Sequence, residues 1–246
     1  NEQGIISSWN DAKIENSSII YNKSLGLNCS NGDQTVINSI IYGNGEINGS
    51  PNIELFANDT ESGILAISYS DIEGGQDNIN VQTGTLNWRD GNIDVDPMFV
   101  DTANGDYHLL ADSRLIDAGH PDSTDADGTV SDMGAYYYDQ TGQPVRVSNL
   151  ITTPSAENVS VKWKANSDAA SYNIYRSTDV SADLYSLSPY TTASDTSYVD
   201  ESAADNTTYH YRVSAVDGES DEGLLGFMRH GRLSLDSTSM QLTGAI

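Results

Sequence analysis

A chain of 246 residues has room for two domains, and its 36 acidic against 11 basic side chains give a formal net charge of -25 that repels phosphate backbones and anionic lipid surfaces. Nucleic acid is therefore excluded as a partner, and the scattering of the acids among Asn, Ser, Thr and Gly points to solvated β-structure, with cation binding as the competing reading. The single cysteine, Cys29, rules out an internal disulfide and a C-x-x-C zinc or redox site, and no apolar run reaches the roughly 18 to 20 residues of a membrane-spanning helix.

Three segments overlay from the start of the chain: IENSSIIYN at 14–22, VINSIIYGN at 36–44 and ISYSDIEGG at 67–75. Each places Ser before a short β-branched run and Asn or Gly after it, and the unit recurs at about 21 and then about 31 residues, which is solenoid spacing. Further short strands lie between them, SLGLNC at 24–29 and NIELF at 52–56. A coil of a right-handed parallel β-helix needs about three such strands, with Asn and Gly at turns that visit the left-handed backbone region. A β-sandwich with irregular loops is the alternative; the near-identical NSSIIY and NSIIY cores favour the solenoid. The longer step predicts a protruding loop of roughly ten residues within 45–63.

The next stretch, 91–138, ends the repeats. Asp94, Asp96 and Asp101 bracket the apolar PMFV at 97–100, GDYHLL at 105–110 alternates, and LIDAG stops at Gly119. Terminal repeats cover the last open layer of a solenoid core, and Tyr107, Leu109, Leu115, Ile116, Met133 and Tyr136 are the expected cover. In the run Tyr136-Tyr137-Tyr138, strand alternation would bury the outer two rings and expose Tyr137.

Two clusters carry candidate chemistry. PDSTDADGTVSD gathers Asp122, Asp125, Asp127 and Asp132 around Gly128, which is half of a calcium loop: carboxylates, carbonyls and a sharp turn together. The late Glu of an EF-hand is missing, and a plain turn whose Asp side chains bond local amides is the competing reading. Asp71 and Glu73 stand two apart on a strand, about 7 Å along one face, a separation compatible with an inverting carboxylate pair. They also run straight into Gly74-Gly75, so they equally serve to end the strand. His108, His120, His210 and His230 are scattered and have no Ser or Cys nucleophile motif beside them. Trp9, Trp88 and the tyrosine run are the aromatics available for stacking on sugars, core packing being the alternative.

From Gln143 the texture changes. VSVKW at 159–163, SYNIYRS at 171–177 and TTYHYRVSAV at 207–216 alternate with period two and predict a second, separate β-sandwich. The usual final strand is missing from the pattern: either Leu224 to Met228 serves as an irregular last strand or the sandwich edge is incomplete and open to another chain, and the last residues, about 15 of them, read as a flexible tail.

Two resemblances follow from these residues. YSDIEGG, GNIDVDPMFVD, GDYHLL, LIDAG and DADGTVSDMGAYYY, in this order, resemble the C-terminal end of bacterial surface β-helix proteins of the choice-of-anchor Q group, within the pectate-lyase-like superfamily. Arg114 stands where that family usually has Pro, Tyr137 where it often has Glu, and Glu73 where it commonly has Gln. Residues 144–220 resemble a fibronectin type III domain, Trp163 matching its strand-B tryptophan, Tyr172 its strand-C tyrosine and Tyr209 its tyrosine corner.

Together the residues and resemblances predict an all-β chain. It consists of β-helix coils and end-piece over 1–141, a fibronectin type III domain over 142–222, and an irregular strand and tail over 223–246. The resemblance implies a secreted or cell-surface bacterial protein whose partner is an extracellular polysaccharide or cell-surface component; calcium is the candidate cofactor from the chemistry of the 122–132 loop. The chain begins at Asn1 without a signal pattern, so it is expected to be a processed product or fragment with further coils upstream. No catalytic site is recognised beyond the Asp71 and Glu73 pair. The competing expectations are an accessory region of a polysaccharide lyase or glycoside hydrolase, and an adhesin.

Overall fold

The computed structural model describes residues 4–8, 11–45, 49–58, 63–155, 157–227 and 229–232, and the chain divides into two compact units, 1–139 and 140–246. Both are β-structures, and the helical segments among the described residues are 3-10 turns at Gly75–Asn78, Thr102–Asn104 and Leu184–Ser186. No helix among them is long and apolar enough to cross a membrane.

The first unit is a parallel β-solenoid. β1 (Ile5–Ser8), β2 (Ala12–Glu15) and β3 (Ser18–Ile20) make one coil; β4 (Leu27–Ser30), β5 (Gly32–Ile37) and β6 (Ile40–Tyr42) the next. β7 (Ile53–Phe56), β8 (Gly63–Ser68) and β9 (Asp71–Ile72) make the third, and β10 (Ile79–Val81) and β11 (Thr85–Trp88) open a fourth, whose third side is a parallel bridge from Asp71 to Ile93. Equivalent strands stack in three sheets, β1-β4-β7-β10, β2-β5-β8-β11 and β3-β6-β9. The expected overlay is the observed register: Ile14, Val36 and Ile67 form one column and Ile19, Ile41 and Ile72 another. Because side chains alternate across a strand, these columns point inward and fill the solenoid core together with Leu27, Ile53 and Ile79.

Short polar side chains hold the coils in step at the corners. The Ser39 hydroxyl accepts from Ser17 N–H at 3.2 Å, Ser70 from Ser39 at 3.2 Å, and the Asn92 side chain from Ser70 at 3.1 Å, at sequence steps of 22, 31 and 22 residues. Asn16, Asn38 and Tyr69, just before these serines, have positive φ. On the next corner Asn44 Oδ1 accepts from Asn22 N at 3.0 Å and Nδ2 at 2.9 Å, while its own amide donates to Ile19 O and Asn52 Oδ1, both at 2.9 Å. The longer step is shared between two corners, Tyr42 to Ile53 and Phe56 to Gly63, rather than forming one loop. Residues 46–48 and 59–62 of those corners lie outside the described residues.

β12 (Phe99–Asp101) and β13 (Asp106–Leu109) then pair antiparallel. The chain beyond them does not simply lie on the last coil; it runs back along the outer face of the third sheet. His120 N–H donates to Asn38 Oδ1 at 2.7 Å, Gly134 N–H to Asn38 O at 2.8 Å, and Ala135 N–H to Ser18 Oγ at 3.0 Å, reaching the first coil. Ile41 belongs to the core, so Ile40 points outward; it is nevertheless buried, and a Cβ on Gly134 would fall 2.6 Å from its Cδ1. Leu109, Leu115, Ile116 and Met133 are buried as expected and Tyr107 is half-buried, but Tyr136 is 45% exposed. Residues 135–138 form no strand, so the alternation expected for the tyrosine run has no basis there.

The second unit contains β14 (Ile151–Pro154), β15 (Val159–Lys162), β16 (Ser171–Ser177), β17 (Thr191–Ala193), β18 (Ser197–Asp200), β19 (Thr208–Val216) and β20 (Arg229–Arg232). They form two antiparallel sheets, β14-β15-β18 and β17-β16-β19-β20, the strand order of a fibronectin type III sandwich. Trp163 and Tyr172 are buried with ring centroids 5.2 Å apart, edge to face. The Tyr209 hydroxyl accepts from Ala204 N–H at 3.3 Å, closing the tyrosine corner. The final strand runs past the expected boundary at 222. Gly223 N–H donates to Ala215 O at 2.9 Å and Gly226 N–H to Val213 O at 2.8 Å, and β20 pairs with the other end of β19. Arg212 caps the irregular join by donating to Gly226 O at 2.9 Å and Leu225 O at 3.1 Å. Met228 and the expected tail beyond 232 lie outside the described residues.

Candidate functional site

Four rings gather along one edge of the third sheet. Tyr42 closes β6 and Tyr21 follows β3, with centroids 6.4 Å apart, edge to face. Tyr21 lies 6.4 Å from Tyr107 of β13, which stands 5.6 Å from Phe99 of β12, again edge to face. Tyr21 is 41% exposed and the other three are half-buried, so the row combines packing with accessible ring surface. Two constraints of the coil place Tyr21: its N–H donates to Tyr42 O at 3.1 Å, and it lies over Gly43, where a Cβ would fall 2.5 Å from the ring. Acids border the row: burial, then the charges of Asp96, Glu73 and Asp71 together with the Tyr21 phenol, raise the Tyr42 phenol above its ordinary range.

Asp71 and Glu73 do not present themselves as an acid and base pair. Asp71 is 0% exposed; its Oδ1 accepts from Val95 N–H at 3.0 Å and its buried Oδ2 has no hydrogen-bond partner. Burial pushes this carboxyl up to about 7, the Val95 N–H pulling it down and Asp94, Asp96 and Glu73 pushing it further up. Glu73 is half-buried, and its Oε2 accepts from Gly43 N–H at 2.8 Å and Asn52 Nδ2 at 3.0 Å, so it ties neighbouring coils together.

The four candidate calcium ligands lie on and beside a small hairpin bridged between Thr124 and Val130. Asp127 Oδ1 accepts from the N–H and hydroxyl of Thr129 at 3.0 and 2.8 Å, and Asp125 Oδ2 from Asp132 N–H at 2.7 Å. Asp132 is buried and receives Asp117 N–H on Oδ1 and Tyr138 N–H on Oδ2, both at 2.7 Å. Burial pushes its carboxyl up to about 7 against those two donors. Asp122 is at the entry, its N–H donating to His120 Nδ1 at 3.2 Å. Among the described residues, no group of three or more His, Cys, Asp or Glu side chains is arranged to hold a metal ion.

Of the other aromatics, Trp88 packs against the solenoid core, Tyr136 and Tyr137 are exposed, and Trp9 lies outside the described residues. Two polar groups had no signal in the repeats. Glu54, on the outer face of the first sheet, accepts from Asn28 at 3.5 Å, from Asn80 at 3.1 Å and from Gln82. In the sandwich, buried Asp200 receives Arg176 at 2.7 Å and the Tyr211 hydroxyl at 2.6 Å. A lone acid in an alternating strand looks the same whether it faces solvent or a buried guanidinium, which is why neither stood out.

No protein-family model and no curated protein matches this chain. Among solved structures, it is similar to a fibronectin type III-like protein from Clostridium thermocellum, at 28% identity over 35% of this chain and 86% of that one, TM-score 0.31. It is also similar to the 6th fibronectin type III domain of human fibronectin type III domain containing protein 3, at 18% identity over 41% of this chain and 94% of that one, TM-score 0.33. A third likeness is to a β-1,2-glucanase from Parabacteroides distasonis, at 20% identity over 44% of this chain and 15% of that one, TM-score 0.31. At these scores the fold assignment rests on the strand order and register above.

Proposed function

We propose that this chain is a non-catalytic part of an exported bacterial β-helix protein of the choice-of-anchor Q group, in the pectate-lyase-like superfamily. Its solenoid presents or binds extracellular carbohydrate at the cell surface or in the medium, and its fibronectin type III sandwich acts as a spacer or interaction module. The observation that carries the ligand class is the row Tyr42, Tyr21, Tyr107 and Phe99 bordered by Asp96 and Glu73. Rings offer an apolar face to the C–H side of a sugar, and acids accept from its hydroxyls. With a net charge of -25, a neutral glycan suits this surface better than a polyanion.

The test is retention on immobilised plant, algal and bacterial polysaccharides, with newly formed chain ends measured in parallel. Retention lost in Tyr21→Ala and kept in Tyr21→Phe supports the ring row. Retention equal in both variants and the unmodified protein removes it. New chain ends from a longer form of the protein would make this region the accessory part of a lyase or hydrolase. Binding to cells but to none of the glycans would favour an adhesin.

Calcium has its own test. An ion at 122–132 must compete with Thr129 and Asp132 for the oxygens of Asp127 and Asp125. A melting temperature that rises with Ca²⁺ and falls with chelator, and no longer responds in Asp125→Ala with Asp127→Ala, supports a metal; an unchanged one removes it.

A further inference from the structure

The crossing of residues 93–97 over β9 is where the solenoid hands over to its end-piece, and Asp71 lies beneath it. Ile72 belongs to the core, so Asp71 points to the outer face, where a surface strand would leave it in water. Instead Ile93 bridges to it in parallel, Val95 N–H bonds its Oδ1, and nothing remains for Oδ2. The groups acting on it electrostatically are Asp94 and Asp96 from the crossing segment and Glu73 from its own side, with the Tyr42 phenol on β6 sensing its charge. All are acids or a phenol. An ionised carboxylate here has one hydrogen bond, three like charges around it and no cation among these neighbours; a neutral carboxyl avoids that repulsion.

We propose that Asp71 is a proton-operated latch: its neutral carboxyl fastens the 93–97 crossing onto the third sheet, and its ionisation loosens that crossing. The direction follows from linkage. A carboxyl whose ionisation is disfavoured in the closed form stabilises that form at low pH, and the stabilisation is lost as pH rises towards its closed-form pKa, about 7. The latch thus works near neutrality. Asp96 belongs to the segment it releases and Phe99 follows two residues after it on β12, so the ring row is complete only with the latch closed; this last consequence rests on the binding reading above, and the latch itself does not.

Hydrogen exchange of the whole chain, without ligand, tests it. Peptides covering 93–110 are followed from about pH 5 to about pH 9, corrected for intrinsic exchange, with peptides of β16 and β19 as the internal reference. Protection in the crossing is expected to fall with rising pH, by up to about tenfold per pH unit while closing takes up a proton. Asp71→Asn should be flat over this range. Asp94→Asn with Asp96→Asn should keep the transition and move its midpoint to lower pH, because the like charges that hold the Asp71 carboxyl neutral are gone and the closed form ionises more readily. Protection that is flat in the unmodified protein overturns the latch, as does an unchanged pH dependence in Asp71→Asn. Should Asp71→Asn fail to fold, a midpoint unmoved in the double variant overturns it equally.

Discussion

Replacing Arg176 by Met strands a carboxylate inside the sandwich. Asp200 is 0% and Arg176 17% exposed at the side chain, and the Nη1 to Oδ2 distance is 2.7 Å. Tyr211 adds a 2.6 Å bond to the same oxygen, while Ser202 donates to Oδ1 from its N–H at 3.1 Å and its hydroxyl at 2.8 Å. The guanidinium also lies 3.9 Å from the Tyr190 ring centroid and 4.6 Å from that of Tyr209. Burial works to raise the Asp200 pKa, but the bonds from Tyr211, Arg176 and Ser202 outweigh it and hold the pKa below the usual carboxylate range. Removing one partner of a buried pair costs roughly 3 to 5 kcal/mol. Three donors remain on Asp200 and Met still covers the rings, so the lower end, about 3 kcal/mol, is expected. For a domain of this size that is a fall in melting temperature on the order of 15 °C.

Urea titration followed by hydrogen exchange in β16 and β19 measures this unit selectively. A loss under about 1 kcal/mol would refute the reasoning, as would an Arg176→Met, Asp200→Asn double variant no more stable than Arg176→Met alone. The pH dependence has a definite sign. A carboxyl depressed in the fold stabilises it above the ordinary carboxylate pKa, and that stabilisation is lost as pH falls through the lower folded value. The gap between Arg176→Met and the unmodified protein should therefore narrow in acid.

Urea stability of the first unit should fall by up to about 4 kcal/mol between about pH 4 and about pH 8 from Asp71 alone, and Asp71→Asn should remove that share. Gly134→Ala places a methyl against Ile40 at a φ of 110° and should loosen the end-piece by about 2 kcal/mol, read as faster limited proteolysis within 111–139. Asn44→Ala leaves Asn22 and Asn52 without their shared partner on a buried corner and should cost about 3 kcal/mol by chemical denaturation. Tyr209→Phe removes only the tyrosine-corner bond and should cost about 1 kcal/mol, with no change in the first unit.

The solenoid and the sandwich were legible because their signals are local or repeat. Inward columns such as Ile14, Val36 and Ile67 recur at fixed steps, and the alternation in 207–216 marks a strand whichever partner it finds. Tyr21 and Tyr42 could be placed on one corner by the same repeat. That Tyr107 and Phe99 join them could not, since neither belongs to a repeat. The side on which the end-piece docks rests on His120 meeting Asn38, 82 residues away, and Ala135 meeting Ser18, 117 residues away, pairings no spacing rule encodes. The same holds for Asp71: its sequence context is that of a solvated strand end, and only the chain returning over it through Val95 removes the water and makes it a buried acid. Residue pattern alone thus determined which strands form and which faces point inward, whereas tertiary closure decided which of the outward-facing polar groups lost their solvent, because desolvation depends on what covers a group rather than on its neighbours in the chain.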